Sequence, residues 1–253
     1  MECPKCRLVQ PDSGIECPRC GLVFARYRPR PPREGEAATP VRTSRSGLRV
    51  VLDYLLFTKD PRDRVSLVGR AVVLLALLVW SWWFWLSPSG DGYVGRSFLH
   101  LVNLPFHEAG HVLFRPFGSF MTSLGGSLNQ ILIPLVCTTV LLVRTRDAFG
   151  ASVALWWAGE NFLDLAPYIG DARSMSLPLL GGNTGYSAPY GFHDWNYILN
   201  EAGVLDRDAL YAGLSKGIGV TLMAMALVWG ATVLLRAGLI RRSRPTRPGG
   251  GSA

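Results

Sequence analysis

Residues 71–86 read AVVLLALLVWSWWFWL, a run without a single charge. Counted from Leu67, and so including Arg70, it reaches the ~20 apolar residues that a helix needs to cross a bilayer. Trp80, Trp82, Trp83 and Trp85 form an aromatic belt of the kind found at a membrane–water interface. Gly217 to Leu235 is a second apolar block, stopped by Arg236. Between them lie three less uniform segments, Phe98–Phe117, Leu128–Val143 and Ala148–Ile169. Each carries polar residues and is expected to face the protein interior or a cavity. With 49% hydrophobic residues in 253 positions, gathered in blocks, the chain is expected to be mainly α. The fold predicted is a polytopic membrane helix bundle over residues 64–240, preceded by a small four-cysteine zinc ribbon and a disordered linker.

The charge is distributed to match. The net charge of +8 is nearly all arginine, and it gathers at Arg26–Arg49 before the first span and Arg236–Arg247 after the last. Basic tails can hold nucleic acid, but arginine flanking a span is what the positive-inside rule produces. It places both termini in the cytoplasm of an integral membrane protein, most simply in the plasma (inner) membrane of a prokaryote. The more acidic loop Asp171–Asp208 then lies on the far side. Five full crossings cannot leave both ends on one side. Four net crossings, with a re-entrant or partial element around Phe117–Ser127, reconcile the count with Arg144 and Arg146.

Residues 1–25 form a module of their own. Cys3-Pro-Lys-Cys6 and Cys17-Pro-Arg-Cys20 are two CxxC knuckles at zinc-ribbon spacing. Four thiolates close a tetrahedral Zn²⁺ site with no open position, so the site is expected to be structural, and so short a segment needs the metal to fold. Iron, or a redox pair of disulfides, are the alternatives. The module resembles the rubredoxin-like ribbons whose knuckles end in Cys-Pro-x-Cys-Gly; Gly21 fits that pattern and Arg7 departs from it. No secretory leader precedes it, in keeping with a cytoplasmic N-terminus. A protein partner, nucleic acid as the less favoured one, or regulation of the membrane part are open for this ribbon.

Residues 26–47, rich in Arg and Pro, read as a flexible linker. Leu48, Val51, Leu52, Leu55 and Leu56 then follow the i, i+3, i+4, i+7, i+8 series of an interfacial amphipathic helix over 48–60, ended by Pro61. Ser87–Gly92 reads as an external turn, and 241–253 as a basic disordered tail.

Chemistry enters at His107-Glu108-Ala109-Gly110-His111. On a helix, residues i and i+4 share a face, so His107 and His111 can offer imidazole nitrogens to one metal ion. Glu108 stands beside them, within reach of a water activated by that metal. A short pattern can arise by chance and a buried histidine can be a satisfied core residue. Ionisable groups in a membrane-depth helix are costly, however, which favours function. His100 and Asn103 extend the same stripe, either as groups supporting the metal ligands or as plain helix contacts.

Arg115-Pro116 is expected to close this helix, and Ser127 to cap the next. Asn129 and Gln130 open an otherwise apolar segment, where their amides can bind an extended substrate backbone or join helices. Cys137 is a packed thiol. Two histidines leave a zinc site incomplete, and the carboxylates of Trp156–Ala172 are the best suppliers of a third ligand. Glu160 and Asp164 are i,i+4, Asp164 and Asp171 are seven apart, and Pro167 is expected to break or kink the helix.

An HExxH in a membrane helix, followed by Asn161, Pro167 and Asp171 in a later one, resembles the site-2 protease group of intramembrane zinc metalloproteases. There the third ligand is the Asp of an Asn-Pro-rich Leu-Asp-Gly motif; here Tyr168-Ile169-Gly170-Asp171-Ala172 stands in its place. The resemblance implies Asp171 as the third ligand, with Asp164 second. It implies a zinc metallopeptidase cutting transmembrane or membrane-proximal segments of a membrane protein substrate, with Glu108 as the catalytic base.

The long connection Arg173–Leu210 holds Phe192-His193-Asp194-Trp195, which can cap the site, supply a ligand or oxyanion donor through His193, or be a loop pinned by aromatic packing. Gly213 and Gly217 form a GxxxG suited to close helix packing. The competing function is a non-catalytic membrane adaptor or sensor with structural metal sites. A membrane-tethered nucleic-acid binder is a third, and it predicts steeply salt-dependent binding by residues 1–60.

Overall fold

The structure is a computed structural model that describes residues 1–6, 8–9, 14–27, 47–56, 64–86 and 94–242. The body of the predicted linker, the Pro61 helix stop, the 87–92 turn, Arg7 and the 243–253 tail lie outside them. The chain divides into two units, 1–45 and 46–253.

The first unit is a pair of like knuckles. Cys3 N–H donates to Leu8 O and Cys17 N–H to Leu22 O, each at 2.9 Å. Isolated bridges join Glu2 to Val9 and Glu16 to Val23. These matched bonds reflect an eight-residue repeat, ECPKCRLV at 2–9 and ECPRCGLV at 16–23. Gly21 takes φ +66°, which glycine adopts without strain just after the second knuckle.

The second unit is helical, with no strand among the described residues. Its elements are α1 (Gly47–Leu56), α2 (Arg64–Leu86), α3 (Phe98–Phe114), α4 (Ser119–Val143), α5 (Ala148–Gly170), α6 (Asp194–Glu201) and α7 (Asp208–Arg242). Among the described residues, three helices are long and apolar enough to cross a membrane: α2, α4 and the stretch Leu205–Leu239 that contains most of α7. On α2, Val68, Val72, Leu75 and Val79 are exposed, as a lipid-facing stripe would be. Of its tryptophans, Trp82 and Trp83 point outward, while Trp80 stacks on Phe84 and packs on Trp156. The belt expected from the sequence is therefore half surface and half core.

The core between α2, α5 and α7 is built from Phe84, Trp156, Leu163, Met223, Ala226 and Leu227. Buried Ser81 donates to Leu77 O and accepts the indole N–H of Trp156 at 2.7 Å, so two polar groups are satisfied inside this apolar layer. At its narrowest point α5 meets α7 through glycine: a Cβ on Gly219 would stand 2.6 Å from Gly159 O, and one on Gly159 2.9 Å from Gly219 O. The GxxxG pair Gly213 and Gly217 has nothing within 4 Å of its Cβ positions, so the close contact lies elsewhere than the motif suggested. Gly219→Val is expected to force the two backbones apart and cost about 3 kcal/mol, read as a lower thermal midpoint of the full-length protein in detergent; Gly213→Val is expected to be near neutral.

Of the re-entrant or partial element expected around Phe117–Ser127, the residues from Ser119 onward are regular helix. A 3-10 turn at Arg115–Phe117 ends α3 as Arg115-Pro116 foretold, Gly118 reverses the chain at φ +93°, and α4 begins at Ser119. Ser127 consequently lies inside α4 and caps nothing. Gly125-Gly126 marks a helix contact rather than a turn, because α3 approaches so closely that a Cβ on Gly110 would overlap the Gly125 carbonyl. Pro167 likewise does not break α5, which runs on to Gly170.

At the other end of these helices Asp147 caps α5 through the N–H of Gly150 and pairs with Arg70 of α2 at 3.1 Å. Helix α1 is fastened there too, by the Arg146 guanidinium over the Tyr54 ring and by Trp229 Nε1–H donating to Leu55 O. These ties hold α1, α2, α5 and α7 in register and leave the opposite end of the bundle to the residues of the motif.

Candidate metal centre

His107 and His111 lie one turn apart on α3, their rings 4.9 Å between centroids. The side chain that meets them is Asp194, the first residue of α6, 87 positions beyond His107. Asp194 Oδ2 is 3.3 Å from His107 Nε2 and 3.4 Å from His111 Nε2. All three ligand atoms lie within 4.8 Å of one another. Zinc bonds to N and O of 2.0–2.1 Å give a tetrahedron with edges of about 3.3–3.4 Å, the separation seen here. The donor set, two imidazoles and a carboxylate, is one that such an ion takes while leaving a fourth position open.

Two further features fit a metal. Each histidine has its other ring nitrogen engaged, His107 Nδ1 with Gln130 Oε1 at 2.9 Å and His111 Nδ1 with Thr122 O at 2.8 Å. Both partners only accept, so each Nδ1 carries the proton and each Nε2 turns its lone pair toward Asp194. The second feature is Gly126 on α4: a Cβ there would stand 2.6 Å from His107 Nε2 and 2.7 Å from His111 Nε2. Gly126→Ala is therefore expected to push the two imidazoles aside and lower metal affinity at this site by at least ~10-fold, read by chelator competition.

Asp194 is held by the end of α5. Its N–H donates to Tyr168 OH at 3.0 Å, and that hydroxyl lies 3.3 Å from Oδ2. Asn196 Nδ2 donates to Ala172 O at 2.8 Å, and Trp195 Nε1 to Ser127 Oγ at 3.2 Å.

The group able to hold a metal ion takes Asp194, not Asp171, as its third member. Asp171, the residue favoured by the family resemblance, is turned away into its own loop. It accepts from Ser174 Oγ at 2.5 Å, Ser176 N at 2.9 Å, Ser176 Oγ at 2.8 Å and Leu177 N at 2.9 Å. Burial raises its pKa, and those donors more than reverse the effect. It anchors the turn that leads from α5 to α6. Asp164, the second choice, is also not beside the histidines: it accepts from His100 Nδ1 at 2.8 Å, Asn103 Nδ2 at 3.0 Å and Gln130 Nε2 at 2.9 Å.

His193 is no spare ligand either. Its Nδ1 accepts the Asn196 N–H at 3.2 Å to cap α6, so its proton is on Nε2, which faces Asp171 Oδ2 at 3.3 Å. Its ring lies 4.4 Å from that of Tyr168. Asn129 donates to Phe106 O at 2.6 Å, a bond between α4 and α3. Glu108 is exposed on α3, near enough for its charge to act on His111 and Tyr168. Asp194 and Tyr168 are the site residues that reading the sequence missed; the aromatic-flanked His-Asp pair was their only signal.

The four cysteines make a second cluster, in the N-terminal unit. Cys3 and Cys20 sulfurs are 3.7 Å apart, Cys6 and Cys17 3.5 Å, and all four ligand atoms lie within 4.8 Å of one another. With Zn–S bonds of 2.3 Å a tetrahedron has edges of about 3.8 Å, so this set too fits a metal. Burial pushes the Cys17 thiol up, but the backbone N–H groups of Arg19 and Cys20, with the neighbouring thiols, bring it down to about 6. Cys137 stands apart in α4 as a half-buried free thiol.

Compared with protein-family models, curated proteins and solved structures, the chain finds no match. What its fold and sites define, among the described residues, is a helical protein with three helices long and apolar enough to cross a membrane and two clusters able to hold a metal ion.

Proposed function

We propose that the protein is a membrane-embedded zinc metallopeptidase that hydrolyses peptide bonds in transmembrane or membrane-proximal segments of other proteins. The observation that supports it best is the convergence of His107 Nε2, His111 Nε2 and Asp194 Oδ2 on one point, with Glu108 one residue along the same helix. Bound there, zinc would act as a Lewis acid that polarises a scissile carbonyl and acidifies a water. Glu108 takes the proton and later returns it to the leaving amine. Its exposure suits that role, since a base must be reachable by substrate. The paired acceptors on His107 and His111 hold both rings in one orientation, and the Tyr168 hydroxyl holds Asp194 between them. A helical substrate hides its carbonyls, so the segment cut must be locally unwound.

In this reading the lipid bilayer is the solvent of the bundle, and the cysteine module carries a structural zinc that lets it bind a protein partner. The test uses full-length protein in vesicles with single-span reporter proteins whose spans are either all leucine or interrupted by Gly-Pro. Cleavage of the interrupted span, lost on chelation and restored by Zn²⁺, is the expected result. Zinc-loaded protein that cuts neither reporter, or cutting that survives chelation, overturns the reading.

A further inference from the structure

The hydrogen bonds behind His107 converge from two sides on the Asp164 carboxylate. An indole N–H can only donate, so the 2.9 Å contact from Trp157 Nε1 obliges Asn103 to turn its oxygen that way and its NH₂ the other. That NH₂ meets two carboxylates, Glu160 Oε2 at 2.9 Å and Asp164 Oδ2 at 3.0 Å. Asp164 Oδ2 takes a second amide hydrogen, from Gln130 Nε2 at 2.9 Å. With its nitrogen so committed, Gln130 has only its oxygen left for His107 Nδ1. The imidazole must then carry its proton on Nδ1 and its lone pair on Nε2, the atom that faces Asp194.

The geometry points to Asp164, with Trp157 and Asn103 donating into it from one side and Gln130 from the other, as the hub of a hydrogen-bond chain that sets the tautomer of His107. None of the four reaches the metal position, so all are positioning residues. They come from α3, α4 and α5, and the packing of these three helices thus decides which ring nitrogen is free to bind. Asp164 is the pivot of the chain, because it takes both amides on one oxygen and shows its other oxygen to His100 at 2.8 Å. What matters at position 164 is an acceptor oxygen aimed at the two amides, and a negative charge is not required. The consequence for metal binding rests on the reading given under Proposed function; the tautomer itself belongs to the metal-free protein.

The chain holds only four histidines, so ¹⁵N imidazole spectra of the full-length protein in detergent are tractable. They are taken after chelation, at a pH well above the ordinary imidazole pKa of about 6.5. His107, assigned by loss of its signals in His107→Gln, is expected as the Nδ1–H tautomer. In Asp164→Leu the Gln130 amide is free to turn over. A mixture of tautomers and a ~10–100-fold loss of Zn²⁺ affinity at this site are expected there. In Asp164→Asn the two facing amides draw the new amide oxygen toward them, and the new NH₂ faces His100. Tautomer and affinity should then stay within about threefold of wild type.

Three results overturn the proposal: Nε2–H at His107 in the wild type, an unchanged Asp164→Leu, or an Asp164→Asn as impaired as Asp164→Leu. If Asp164→Leu does not fold, Gln130→Met carries the same test, with a tautomer mixture expected and an unchanged spectrum decisive against. Nδ1–H in a wild type that binds no Zn²⁺ would remove the peptidase reading and leave the tautomer chain standing.

Discussion

Replacing Glu108 with glutamine is expected to lower peptide-bond cleavage by about 10²–10⁴-fold while leaving the metal content unchanged. Glutamine keeps the size and polarity of the side chain but cannot accept the proton of an attacking water. Position 108 is exposed and lies outside the group of ligand atoms, so neither folding nor metal binding depends on it. The measurement is initial rate on the Gly-Pro reporter beside zinc per chain on the same preparation. Unchanged cleavage would remove Glu108 from the reaction; lost metal would make it a ligand instead of a base.

The second large effect separates two aspartates. Asp194→Ala is expected to abolish metal binding at the membrane site, because the two imidazoles alone leave half a tetrahedron. Asp171→Ala should keep the metal, since that carboxylate is spent on Ser174, Ser176 and Leu177. Its expected loss is local: the turn from α5 to α6 loses its anchor, His193 loses the partner of its Nε2, and the thermal midpoint falls. Affinities from chelator competition decide the matter. The reverse order, with Asp171→Ala losing the metal and Asp194→Ala keeping it, would restore the ligand expected from family resemblance.

What could be read from the sequence was the local part. His107 and His111 are i,i+4, and a helix of any length puts them on one face; the knuckle cysteines are as close in sequence as in space. The apolar runs are likewise local signals of helices able to cross a membrane. Asp194 was not legible, because it comes from a separate short helix and no periodicity joins it to α3. Asp171 misled for the complementary reason: it has the right order in the chain, but Ser174 and Ser176, a few residues on, claim its oxygens first.

The glycines show the same division. Gly125-Gly126 carries the composition of a turn, and only the presence of α3 and its two imidazoles explains a glycine pair inside a helix. Gly213 and Gly217 make the better motif, yet Gly159 and Gly219 make the contact, since a small-residue face says nothing about which helix will cover it. Asn103, Gln130 and Asp164 were visible as polar residues in apolar segments. That two amides converge on one carboxylate oxygen behind His107 depends on three helices meeting.

The most direct test of the central claim is zinc per chain in wild type, His107→Ala and Cys17→Ser, each purified at full length and dialysed against a weak chelator. Two zinc ions in the wild type are predicted, with one lost in each variant and the other retained. A wild type that binds a single ion, lost in Cys17→Ser and indifferent to His107→Ala, would contradict the account.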